Sequence, residues 1–109
     1  MLAGLIAPRG LLSIDKNRYQ WLGLWSSLGC MGPARLIWQA MGVADHMGYS
    51  LSIDNPHCSF PDQQKEDLLA FINQFLLGKE VNTTIQKNYP CISFNDEPWV
   101  NWQVPTLTR

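Results

Sequence analysis

The sequence predicts an α/β fold, and within it the closing strands and helices of a larger, mostly parallel sheet. Three observations lead there. Apolar runs and helical stripes alternate as strand, helix, strand, helix. The connections between the strand candidates are long enough for parallel crossovers. Two parallel strands alone make no stable sheet, because such strands need neighbours and cover on both faces. All 109 residues are therefore expected to form the last part of one larger domain, with a poorly periodic tail over 79–109.

Taken in order, residues 2–7 are apolar, read as the end of a buried helix, and are cut off by Pro8-Arg9-Gly10. Gly10-Leu11-Leu12-Ser13-Ile14-Asp15 is a short apolar run bounded by Pro8-Arg9 and Lys16-Asn17, a buried strand and then a loop. Cys30, Ala34, Ile37, Trp38 and Met41 recur at helical spacing, forming one face of a helix opened by Ser26-Ser27 and closed by Gly42. Met47, Tyr49, Leu51 and Ile53 alternate as a second strand, and Asp54-Asn55-Pro56 is a loop. Ser59-Phe60-Pro61-Asp62 reads as a helix entry with an S-x-x-D cap. The helix it opens presents Leu68, Leu69, Ile72, Phe75 and Leu76 on one side and stops at Gly78. In the tail, Trp99 and Trp102 require burial.

Composition narrows the partners. An apolar fraction of 46% rules out wholesale disorder. Eight Lys+Arg face nine Asp+Glu, a net charge of −1, and no basic run exists. A protein built on phosphate neutralisation needs clustered cations, so nucleic acid is not an expected partner. No stretch approaches the roughly 20 apolar residues of a membrane span, so no membrane partner is expected either. Residues 1–7 lack a basic leader and are shorter than a signal peptide. Three cysteines, Cys30, Cys58 and Cys91, cannot all pair within one chain, which leaves a free thiol, an intermolecular bridge or partners elsewhere. Asn82-Thr83-Thr84 is an N-glycosylation sequon, making Asn82 a candidate acceptor.

Chemistry points to the loop after the second strand. Open α/β sheets collect functional groups at the carboxyl ends of their strands. The α/β-hydrolase order runs nucleophile, acid, then a histidine after the last strand, and His57 occupies that place. A solvated or structural loop histidine is the commoner alternative. No G-x-S-x-G elbow exists; Gly48-Tyr49-Ser50-Leu51-Ser52 lacks the closing glycine and lies inside the strand, so its serines read as strand residues. Asp15 ends the first strand, where many such folds place the acid, although a surface or capping aspartate is more frequent. His46, His57 and Cys58 are the only clustered metal-ligand types, without a C-x-x-C or H-x-x-x-H pair, so neither metal nor cofactor is expected.

Specific text appears at Trp21-Leu22-Gly23 and Pro56-His57-Cys58-Ser59-Phe60-Pro61. With Leu2-Ala3-Gly4-Leu5-Ile6-Ala7-Pro8-Arg9-Gly10, Gly29-Cys30-Met31, Trp38-x-Ala40-x-Gly42-Val43-x-Asp45-x-Met47-Gly48, Phe71-Ile72-Asn73-x-Phe75-Leu76-Leu77-Gly78 and Trp99-Val100-x-Trp102-x-x-Pro105-Thr106-Leu107, the chain resembles the C-terminal third of the fungal glucuronoyl esterases, carbohydrate esterase family fifteen. The resemblance implies the end of an α/β-hydrolase three-layer sandwich. It also implies a secreted, monomeric serine esterase acting on the ester between 4-O-methylglucuronate of glucuronoxylan and lignin alcohols.

Residue by residue, His57 resembles the family's catalytic base and Trp21 the tryptophan lining the uronate site. Cys58 resembles the half-cystine whose partner precedes the nucleophile, and Cys30 another half-cystine with an upstream partner. Trp25, Trp38, Trp99 and Trp102 are left as packing residues. Where the family usually reads Gly-Gly-His-x before the histidine, this chain has Ile53-Asp54-Asn55-Pro56, which restricts the backbone next to the base. The nucleophile, the oxyanion arginine and the acid would lie upstream of Met1, so the 109 residues alone are expected to be inactive. Two other readings stand beside this one: a non-catalytic carbohydrate- or lignin-binding remnant, and another α/β-hydrolase esterase such as an acetylxylan esterase or lipase.

Overall fold

A computed structural model describes residues 2–16, 18–19, 23–52, 56–88 and 94–107. Three parallel strands, β1 (Leu11–Lys16), β2 (Met47–Ser52) and β3 (Gln86–Lys87), lie side by side in that order. Between them run two helices, α1 (Leu24–Ala40) and α2 (Asp62–Phe75). Strand β1 pairs with β2 from Leu11↔Met47 to Lys16↔Ser52, so both strands end at one level. Lys16 and Ser52 thus share the carboxyl edge of the sheet.

The pleat of β2 assigns a helix to each face. Met47, Tyr49 and Leu51 pack toward α1: Met47 with Ala34 and Trp38, Leu51 and Tyr49 with Leu24 and Leu28. Gly48 and Ser50, pointing the other way, meet α2 through Phe71 and Asp67. Helix, sheet and helix are the three layers expected for a parallel sheet covered on both sides. Trp38, fully buried, donates its indole N–H to the Arg9 carbonyl at 2.9 Å and so ties α1 to the entry of β1. Gly42, at φ 75°, ends α1 as expected; its N–H reaches the Gln39 carbonyl and that of Val43 the Trp38 carbonyl.

Several expectations need correction. Residues 2–6 form a short 3-10 turn, with Leu2 and Leu5 exposed, rather than the end of a buried helix. The buried ridge of α1 is Leu24, Leu28, Ala34 and Trp38; Cys30 and Met41 are exposed. α1 also begins earlier than Ser26, after Gly23 at φ 75°. On α2 the buried residues are Gln64, Asp67 and Phe71, whereas Leu68, Leu69 and Leu76 are exposed. The reason lies across the sheet. The facing side of β2 carries Gly48, Ser50 and Ser52, whose small polar surface takes hydrogen-bonding partners better than leucines. Gln64 Nε2 donates to the Ser50 carbonyl at 2.8 Å, and Ser50 Oγ donates to Asp67 Oδ2 at 2.6 Å. Asp67 Oδ1 lies 2.7 Å from Lys87 Nζ on β3.

The S-x-x-D cap does not form. Pro61 is the N-cap residue of α2 without a side-chain bond, and the Ser59 hydroxyl is used in the preceding turn. Asp62 serves the first turn instead by its charge, and the Lys65 ammonium 2.5 Å away holds its carboxyl below the usual range. Trp25, Trp99 and Trp102 are exposed, against the expectation of packing. Trp25 and Trp99 line an apolar groove with Ser26, Gly29, Cys30 and Phe94 that no described residue covers. Strand β3 had no periodic signal because two residues are too few to show one.

Gly48 is needed for space. A Cβ there would come within 2.9 Å of the Ile85 carbonyl oxygen and 3.1 Å of the Phe71 ring. Gly48→Ala is expected to cost about 1–3 kcal/mol by forcing β2 from β3 and α2, read as a lowered urea midpoint at unchanged m.

Candidate active site

Beyond β2 the chain makes a tight turn over Pro56-His57-Cys58-Ser59. The Ser59 N–H donates to the Pro56 carbonyl at 3.2 Å, and the Ser59 hydroxyl donates to the same oxygen at 2.7 Å. Cys58 sits at φ 60°, the left-handed region that costs a non-glycine residue about 1 kcal/mol. A third donor reaches the Pro56 carbonyl from outside: Lys16 Nζ, at 3.0 Å. The same ammonium donates to the Ser59 carbonyl and, at 3.3 Å, to Ser59 Oγ. The last residue of β1 is thus bonded to the turn that follows β2.

His57 is exposed on this turn. Its Nδ1 lies 2.8 Å from Cys58 Sγ, and its ring meets that of Tyr19 edge to face at 6.0 Å. An imidazole held on a tethered backbone is the kind of side chain that serves as a general acid or base. Ser59 is no nucleophile for it, since its hydroxyl hydrogen is committed to the Pro56 carbonyl.

A cleft of about 510 Å³ opens on the α2 side, lined by Ser50, Ser52, Asp62, Gln64, Glu66 and Lys87. Ser50 and Ser52 are buried strand residues, as the sequence reading held. Ser50 gives its proton to a carboxylate already paired with Lys87, and among the described residues no imidazole joins that group to act as the base a serine nucleophile needs.

Of the residues singled out from sequence, His57 and Cys58 are brought together. Cys30 is an exposed thiol on α1 beside Trp25 and Trp99. Asn82 is exposed between α2 and β3, its Oδ1 accepting the Thr84 N–H at 2.9 Å. Trp21, Ile53-Asp54-Asn55 and Cys91 lie outside the described residues. Lys16 and Tyr19 escaped sequence reasoning, and Ser59 was read there only as a helix cap. Position alone, at the carboxyl end of a parallel strand, was the signal that could have found Lys16.

The family model for fungal glucuronyl esterases matches residues 1–42. The 4-O-methyl-glucuronoyl methylesterase of Hypocrea jecorina is 50% identical over 108 residues, which are 98% of this chain and 23% of that protein. That of Phanerochaete carnosa is 44% identical, over 99% of this chain and 27% of the relative. The chain belongs to the fungal glucuronoyl esterase family. It matches the C-terminal part of these relatives and spans about a quarter of their length.

Solved structures agree. The glucuronoyl esterase catalytic domain from Hypocrea jecorina superimposes with a TM-score of 0.87 at 48% identity, over 98% of this chain and 29% of that one. A serine-to-alanine mutant of the glucuronoyl esterase from Sporotrichum thermophile, solved with methyl 4-O-methyl-β-D-glucopyranuronate, gives 0.86 at 41% identity. The small parallel sheet and its two helices are therefore the C-terminal portion of an α/β-hydrolase layer structure, as the glucuronoyl esterase resemblance implied.

Proposed function

We propose that these 109 residues are the C-terminal part of a secreted serine esterase that cleaves esters of 4-O-methylglucuronate on glucuronoxylan with lignin alcohols. One observation carries this reading: His57 stands on a braced turn directly beyond the carboxyl end of β2, the place of the third member in the order nucleophile, acid, histidine. His57 takes the proton of an upstream serine as it attacks the uronate carbonyl and gives it to the departing alcohol. Water then releases the acyl group by the reverse exchange. Trp21 lines the uronate site, its flat ring suited to a sugar face and its N–H to a hydroxyl.

Cys58 forms a disulfide with a cysteine upstream, next to the nucleophile, and Cys30 a second one. The first bridge has a direct consequence for the base. With Cys58 reduced, its sulfur contacts the Nδ1 that the acid of a triad engages. Bonding that sulfur elsewhere removes its S–H and leaves Nδ1 to the acid. The exposed apolar groove around Trp25 and Trp99 also suits a chain completed by further structure. Binding without catalysis is a second reading, favoured by the loss of two glycines before His57.

The test is to join the chain to the upstream part of the Hypocrea jecorina relative and assay methyl 4-O-methylglucuronate. Hydrolysis by the joined protein is expected, and none by the 109 residues alone. A rate from the isolated chain equal to that of the joined protein overturns the reading.

Asn82 carries an N-glycan in a secretory host. It precedes β3, which runs parallel to β2, so it lies at the opposite end of the sheet from His57 and leaves the site open. Intact mass is expected to drop by one glycan on treatment with a peptide N-glycosidase and on Asn82→Gln. An unmodified protein from a fungal secretory host contradicts the assignment.

A further inference from the structure

We propose that Lys16 is a positioning residue for His57, a clamp that holds the histidine turn from outside it. The inference rests on reading His57 as the esterase's base. A lysine ammonium has three N–H donors, and those of Lys16 meet the Pro56 carbonyl, the Ser59 carbonyl and Ser59 Oγ. The acceptors lie on the two residues that flank His57-Cys58, so the histidine backbone is held at both ends. The Pro56 carbonyl gathers three donors in all, Lys16 Nζ, Ser59 N–H and Ser59 O–H.

This turn needs such a brace. Cys58 occupies a left-handed conformation without being glycine. Pro56 has no N–H with which to join a backbone ladder. Charge-assisted bonds from a strand end offset both at once. Lys16 is paired in register with Ser52, the last residue of β2, so the clamp joins two rigid strands across the turn. A base displaced by an ångström loses rate without losing substrate affinity.

The joined protein described above serves for the test, with Lys16→Met, Lys16→Arg and His57→Ala. Lys16→Met keeps the stem and removes all three donors. It is expected to lower kcat about tenfold with KM within about twofold. Lys16→Arg, which restores donors in a fork, is expected to return most of that loss. Amide exchange in a peptide covering residues 56–60 is expected to quicken in Lys16→Met, while exchange at β2 stays at the parent rate.

An unchanged kcat and unchanged exchange in Lys16→Met overturn the proposal. So does a loss shared by kcat and Tm that Lys16→Arg fails to restore, which marks Lys16 as merely structural. Exchange that quickens while His57→Ala remains active sinks the assignment of the base and leaves the clamp standing. Should the join to the Hypocrea jecorina part not fold, the same variants on the Sporotrichum thermophile upstream part give the reading.

Discussion

His57→Ala in the completed esterase is expected to lower kcat on methyl 4-O-methylglucuronate on the order of 10⁴-fold, with KM moved by less than about threefold. The size follows from the role. An imidazole that takes a proton from the attacking serine and passes it to the leaving alcohol acts only as the transition state forms, so its removal strikes kcat and spares binding. Tm is read beside kcat: a rate loss with Tm within about 2 °C of the parent marks the loss as chemical. His57→Ala retaining a tenth of the parental rate would instead sink the assignment of His57 as the base, whereas a completed protein that binds the substrate without hydrolysing it would favour the remnant reading.

Trp38→Ala carries the largest expected effect on stability, about 3–5 kcal/mol, measured by urea unfolding of the same completed protein. Trp38 has no solvent exposure and is packed among Ala34, Met47 and the partly buried Leu11, Met31, Ile37 and Val43. Its loss opens a cavity between α1 and the sheet and strands the Arg9 carbonyl that the indole satisfies at 2.9 Å. Trp38→Phe keeps most of the packing and should cost about 1–3 kcal/mol, nearer the unsatisfied carbonyl alone. Because Met47 begins β2 while His57 follows its end, kcat of the folded Trp38 variants is expected to stay within about threefold of the parent. A Trp38→Ala loss below 1 kcal/mol would mean that this end of the core repacks.

Legibility from sequence differed by element, for physical reasons. The first strand showed itself as a bounded apolar run, the second strand and both helices because apolar residues recur at the periods of their structures, and Gly42 and Gly78 mark the helix ends with positive φ. The faces were harder. Leucines at helical spacing on α2 suggested the buried side, yet Gln64 and Asp67 are the residues inside. A polar side chain goes inward only when partners wait there, and Ser50, the Asp15 carbonyl and Lys87 come from strands distant in sequence.

The sequence by itself determined the strand–helix–strand–helix order, the parallel connections and the place of His57 beyond the second strand, because periodicity and chain order survive without coordinates. Its seven matching segments also determined the family. Only the tertiary structure decided that Gln86–Lys87 pairs as a third strand, that Ser59 belongs to a turn and not to a helix cap, and that Lys16 reaches across to Pro56 and Ser59. The Ser59 turn closes locally on Pro56, but the β3 pairing and the lysine bonds are contacts between residues far apart in the chain, up to 43 positions for Lys16 and Ser59. Such contacts follow from strand register and helix docking, which no local pattern encodes.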